Sequence, residues 1–147
     1  MKARDVMTAQ PATVSSRDSV SLAAQVMRTR GIGMLPVVEE VGSRKLCGVI
    51  TDRDIVVRCV AGNHGTSCTV GAHMTAMPLA TVKADDDVAM VLSTMERNHV
   101  RRLPVVSNDG LLVGIVAQAD LALKVGHDAP ALIEHLLESI SEPVLVS

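Results

Sequence analysis

Few residues in this chain combine type and spacing in a way that could do chemistry, and each also has a plainer use. Thr51-Asp-Arg-Asp54 sets a hydroxyl three residues ahead of a carboxylate. At a helix start that is a capping box, in which hydroxyl and carboxylate each accept one unpaired backbone N–H. Cys59, His64, Cys68 and His73 follow at C-x4-H-x3-C-x4-H, and all are side-chain types that zinc accepts. The spacing matches no recognised finger, and Cys59 falls on a predicted helix, so reduced thiols and no bound metal are the expectation. Arg101-Arg102 is a basic pair suited to solvent or to surface acids, and His99 beside it reads as a polar edge residue. The acids Glu39-Glu40 and Asp85-Asp86-Asp87 fall in a turn and at a helix start, where negative charge has a structural purpose. No Ser/His/Asp motif, phosphate-cradling glycine loop or HExxH is present, so the chain reads as a non-enzyme.

The elements that must position these residues come from an apolar chain without rings. Of 147 residues 48% are apolar and 20% charged, and tryptophan, tyrosine and phenylalanine are all absent. The core must therefore be Val, Leu, Ile, Met and Ala, and no aromatic platform exists on which nucleobases could stack. The 14 basic and 16 acidic residues are scattered, for a net charge of −2, which argues against a nucleic-acid partner. No apolar run approaches the ~20 residues of a membrane helix, and the N-terminus lacks a signal-like apolar segment. Three cysteines without framework spacing favour a reducing, cytoplasmic setting.

The chain repeats itself. Met7-Thr8 and Pro11 return as Met74-Thr75 and Pro78, Thr13-Val14 as Thr81-Val82, and Val20 and Met27 as Val88 and Met95. Leu35-Pro-Val-Val38 returns as Leu103-Pro-Val-Val106, Gly48-Val-Ile50 as Gly114-Ile-Val116, and Asp54 as Asp120. Each copy reads β-α-β-β-α: a Thr-Val strand, an amphipathic helix with Ser16 or Asp85 to Asp87 as N-cap, two strands joined by a polar turn, and a second helix over 52–61 or 118–125. Gly31 and Gly33 close the first helix of copy one. The expected organisation is repeat 1 with its lead-in over 1–62, linker and repeat 2 over 63–125, and a C-terminal helix and tail over 126–147. In that last segment Ile133, Leu136, Leu137 and Ile140 form an apolar stripe.

Asp5-Val-Met-Thr8, the two Leu-Pro-Val-Val runs and Gly48-Val-Ile-Thr-Asp-Arg-Asp54, in this order, resemble a tandem cystathionine-β-synthase (CBS) domain pair, or Bateman module, over residues 3–125. The resemblance is to small stand-alone bacterial CBS-pair proteins, some of them stress- or hypoxia-responsive. It implies a mixed α/β fold of two pseudo-twofold-related repeats packed through their sheets, and a homodimer. It also implies an inter-repeat cleft for an adenosine-containing ligand such as AMP, ADP, ATP or S-adenosylmethionine, with signalling by a change of conformation or partner. By that likeness Asp54 would hold the ribose and Thr51 the phosphate, helped by free N–H groups at the helix start. Met34, Leu35 and Leu103 would sandwich the base, and Arg101 and Arg102 would reach the phosphate. Asp120 would serve a second pocket, weakened because Ala117 replaces the hydroxyl. The alternative is a dimeric interaction scaffold with vestigial pockets and a protein partner.

Overall fold

Alternating burial and turn chemistry divide the chain into short elements, which a computed structural model describes for residues 1–65 and 67–125, together with the helical positions Ala131 and Glu134. The apolar stripe at Ile133, Leu136, Leu137 and Ile140 lies outside the described residues. In chain order the elements begin with α1 (Ala3–Val6), β1 (Thr8–Ala9), β2 (Val14–Ser15), α2 (Val20–Arg30), β3 (Met34–Val38) and β4 (Leu46–Thr51). A short α3 (Asp52–Asp54) follows and runs into a π-helical stretch, Ile55–Val60. Next come α4 (Val70–His73), β5 (Thr75–Ala76), β6 (Val82–Lys83), α5 (Val88–Asn98), β7 (Arg102–Val106), β8 (Leu112–Ala117) and α6 (Gln118–Val125).

Two four-stranded sheets result, ordered β2-β3-β4-β5 and β1-β8-β7-β6. In each, a parallel pair (β2 with β3, β6 with β7) is bridged by a helix, as parallel strands require. An antiparallel hairpin then supplies the two central strands. The fourth strand is not local. β5, from the segment leading into copy two, pairs with β4 of copy one, and β1, from the start of the chain, pairs with β8 of copy two. The compact units are accordingly Pro11–Leu79 and Met1–Gln10 with Ala80 onward, so each holds one repeat's body and the other's lead-in.

Each unit has its own core. In the first, Val14, Ala23, Met27, Leu35, Val37, Ile50 and Val70 cluster. In the second, Val82, Val91, Leu92, Met95, Leu103 and Val116 pack with Ala3 and Val6 of the lead-in. Every buried apolar side chain among the described residues is Val, Leu, Ile, Met, Ala or Cys, as a ring-free sequence demands.

Two local expectations are corrected. The N-cap of α2 is Ser19, whose hydroxyl accepts from Leu22 N at 3.1 Å, and not Ser16. Asp18 accepts Ser15 N at 2.8 Å, and this tight turn delays the helix past Ser16. The second helix of copy one is also not a uniform α-helix. Ala61 N bonds Val56 O at 2.8 Å, five residues back, and this winding buries Cys59 while leaving Val56, Val57 and Val60 exposed. Gly31 closes α2 in the left-handed region at φ 64°, whereas α5 closes on His99 at φ 54°.

The lead-in strands cross their sheets at glycines. A Cβ on Gly48 would stand 2.5 Å from the Thr75 carbonyl oxygen and 2.9 Å from Met74 Sδ. On Gly114 it would stand 2.9 Å from the Thr8 oxygen and 2.5 Å from Met7 Sδ. Backbone cannot yield as a side-chain tip can, so Gly48→Ala and Gly114→Ala should each destabilise by about 1–3 kcal/mol. Gly65→Ala, whose Cβ would meet only Ser67 Oγ at 3.7 Å, should stay within about 0.5 kcal/mol of the parent. Urea unfolding of the three variants checks this ordering.

Candidate functional site

β4 ends by turning directly into a helix, and the side chains at the turn close on the backbone. Thr51, at the last position of β4, is the N-cap: its Oγ1 accepts Asp54 N at 3.1 Å, while Asp54 Oδ2 accepts Thr51 N at 2.9 Å. The remaining early N–H groups also have acceptors. Asp52 N bonds Gly33 O at 2.9 Å, Arg53 N bonds Asp52 Oδ1 at 2.8 Å, and Ile55 N bonds Asp52 O. The free helix-start N–H groups expected for a phosphate are therefore already occupied. Within the turn the sequence supplies the acceptors itself, except that Asp52 N is taken by Gly33 O across the strand.

Asp54 is not exhausted by this arrangement. Its second oxygen faces Arg58 Nε at 3.7 Å, and its side chain is 14% exposed. A carboxylate has about four lone-pair sites, so two remain for hydroxyl donors. Arg58, one helical turn on, was passed over in the sequence, although the i,i+4 spacing from an acid to a base is the signal that finds it. Its Nη1 also reaches the carbonyl oxygens of His73 at 3.5 Å and Met74 at 3.3 Å. The guanidinium thereby links the capped turn to the end of α4.

Met34 and Leu35 lie beside this turn through strand register, Met34 opposite Thr51 and Leu35 opposite Ile50. The other unit repeats the layout. Arg102 pairs with Ala117 and Leu103 with Val116, Gln118 N bonds Arg101 O at 3.0 Å, and Ala117 N reaches Asp120 Oδ2 at 3.3 Å. Thr51, Asp54, Met34 and Leu35 thus meet at one strand-to-helix turn, and Arg101, Arg102, Leu103 and Asp120 at its counterpart. Both arginines are exposed. Leu35 and Leu103 are fully buried in the cores of their own units, which accounts for them without a ligand.

His64, Cys68 and His73 are neighbours in space, and one ligand atom from each lies within 4.8 Å of the others. The Cys59 thiol is buried and donates to the His64 and Gly65 carbonyl oxygens at 3.8 Å; burial first, and then nearby Cys68, push that thiol up from its ordinary pKa. Cys47 stands apart, its thiol raised by burial and by Glu39 and donating to Val37 O at 3.4 Å.

Two copies of one sheet-and-helix body, each ending β-strand, turn and helix, define a pair of α/β repeats. The CBS domain family model matches residues 3–60 and again 70–127, and the chain belongs to that family. Hypoxic response protein 1 of Mycobacterium tuberculosis is 36% identical over 120 residues, covering 82% of either chain. A crystal structure of Hypoxic Response Protein I with two coordinated zinc ions superposes with TM-score 0.76 at 36% identity, over 84% of this chain and 98% of that one. The CBS domain pair of protein MJ0100, in complex with 5-methylthioadenosine and S-adenosyl-L-methionine, gives TM-score 0.75 at 30% identity, over 86% and 97%. Among the described residues no helix is long and apolar enough to cross a membrane.

At the box positions themselves the copies differ by one hydroxyl, Thr51 against Ala117, and that difference is measurable. Thr51→Ala should destabilise by about 1 kcal/mol, the usual worth of a cap. Ala117→Thr, at a half-buried position where Asp120 already accepts the local N–H, should complete the second box and stabilise by about 0.5–1 kcal/mol. Chemical denaturation of the two variants gives the shifts in opposite directions.

Proposed function

We propose that the chain is a regulatory module that binds an adenosine-containing ligand at the Thr51–Asp54 turn and passes the event on as a change of conformation or partner. The observation that carries this is the Asp54 carboxylate. It is fixed by Thr51 N and Arg58, placed at a strand end, and left with acceptor capacity for a pair of vicinal hydroxyls. The MJ0100 pair, 30% identical, is described with two adenosine derivatives, and this favours a nucleoside-containing ligand here.

Because the helix-start N–H groups are taken, nucleoside recognition would rest on Asp54 and phosphate recognition on the Thr51 hydroxyl. The Asp120 turn is the weaker site, lacking the hydroxyl. Such a ligand acts only through different affinity for two arrangements of the protein. The same reading includes a homodimer, to which the exposed Val56, Val57 and Val60 offer apolar surface.

A second reading is an interaction scaffold with vestigial pockets. Ala117 and the core positions of Leu35 and Leu103 favour it. Isothermal titration with AMP, ADP, ATP and S-adenosylmethionine separates the two. Asp54→Asn serves as control, since its amide oxygen can still accept Thr51 N. Micromolar binding of at least one ligand is expected, weakened about tenfold or more in the variant by loss of charge-assisted hydrogen bonds. No heat from any of the four in a folded protein would decide for the scaffold, and equal affinity in the variant would overturn the assignment of the ligand to Asp54.

A further inference from the structure

We propose that Cys59, His64, Cys68 and His73 form a tetrahedral site for a zinc-class divalent cation. Three of the four ligand atoms already lie within 4.8 Å of one another. Zn–S bonds of about 2.3 Å and Zn–N bonds of about 2.0–2.1 Å set tetrahedral edges of roughly 3.3–3.8 Å, so modest side-chain rotation closes the set. Cys59, whose buried Sγ lies 3.8 Å from the carbonyl oxygens of His64 and Gly65, is the fourth donor. Two thiolates and two imidazoles suit zinc, and they neutralise its charge where the site is partly buried. Binding displaces the two thiol protons to solvent and leaves both histidines neutral.

A second observation points to the same place. His73 is buried, and its Nε2 is the one buried side-chain nitrogen or oxygen among the described residues that lacks a hydrogen-bond partner. Such a group ordinarily costs stability, and a metal bond removes that cost. The His64 ring stands edge-on to it, centroids 5.1 Å apart, so both imidazoles border one space.

The backbone holds these residues in position without the metal. His64 N bonds Cys59 O at 2.9 Å through a turn in which Asn63 is left-handed at φ 59°. The His64 ring lies against Gly62, where a Cβ would come within 2.8 Å of Cδ2. Val20 N bonds Cys68 O at 2.8 Å, Met74 N bonds Val70 O at 2.9 Å, and Arg58 reaches the His73 carbonyl. His64 is exposed and Cys68 half-buried, which leaves an entry path for the ion. An ion here would clamp the inter-repeat linker to the end of the π-helical stretch and to α4.

The test uses the full chain, reduced and stripped with a chelator, titrated with Zn²⁺ in competition with a chromophoric chelator and separately with Co²⁺. One equivalent per chain is expected. Co²⁺ should give the intense visible bands of tetrahedral geometry and a thiolate-to-cobalt charge-transfer band that diminishes in Cys59→Ser. His64→Ala and Cys68→Ser should weaken Zn²⁺ binding at least ~100-fold, the upper end of what losing only an outer-shell partner costs. His64 is exposed, so its variant is expected to fold and keeps the comparison meaningful if His73→Ala does not. Absence of saturable uptake, or affinity unchanged in both His64→Ala and Cys68→Ser, would overturn the site. A charge-transfer band unchanged in Cys59→Ser would remove Cys59 from it. None of these readouts depends on nucleotide binding.

Discussion

In both units the lead-in strand pairs with its neighbour so closely that a Cβ at one glycine would meet its backbone. Gly48 lies under Met74 and Thr75, and Gly114 under Met7 and Thr8. Because the contact is with a carbonyl oxygen, neither strand can relax away without losing pairing to β5 or β1. The repeated Met-Thr and Gly-Val-Ile or Gly-Ile-Val motifs are two halves of this one contact. The remaining geometry follows from it. The crossing fixes Met74, hence His73 one residue earlier, hence the carbonyls that hold Arg58, which in turn faces Asp54.

The capped turn is both structure and candidate site. The hydrogen bonds that hold Thr51 and Asp54 stabilise the helix start and also fix the carboxylate in place before any ligand arrives. This double use explains why the same residues support a bland reading and a functional one. It also explains the asymmetry between copies. Ala117 removes the hydroxyl half of the box but keeps the carboxylate half, so Asp120 is held by one contact where Asp54 has two.

Much of this was legible in the sequence because it is local. Helix periodicity, the Ser107–Gly110 turn, Gly31 as a left-handed terminus and the Thr51–Asp54 box each depend on a few neighbouring residues. The order of repeated motifs was enough to indicate the CBS family. The destination of the lead-ins was not legible, since β1 and β5 are two-residue strands and either repeat offers a compatible edge. Winding of Ile55–Val60 into a π-helix left no trace in apolar spacing. The convergence of Cys59, His64, Cys68 and His73 depends on a left-handed Asn63 and on the docking of Cys68 against Val20, neither of which a spacing rule encodes. Arg58 is legible only as the i,i+4 basic partner of Asp54, a spacing that does not by itself mark a site.

Each sheet is completed by the other repeat's lead-in. Hydrogen–deuterium exchange of the full chain against a chain beginning at Pro11 tests it most directly. Without β1, β8 becomes an edge strand, and amides within Leu112–Ala117 should exchange at least ~10-fold faster, equivalent to about 1.4 kcal/mol of lost local stability. Unchanged protection of Leu112–Ala117 in the shortened chain would contradict the account.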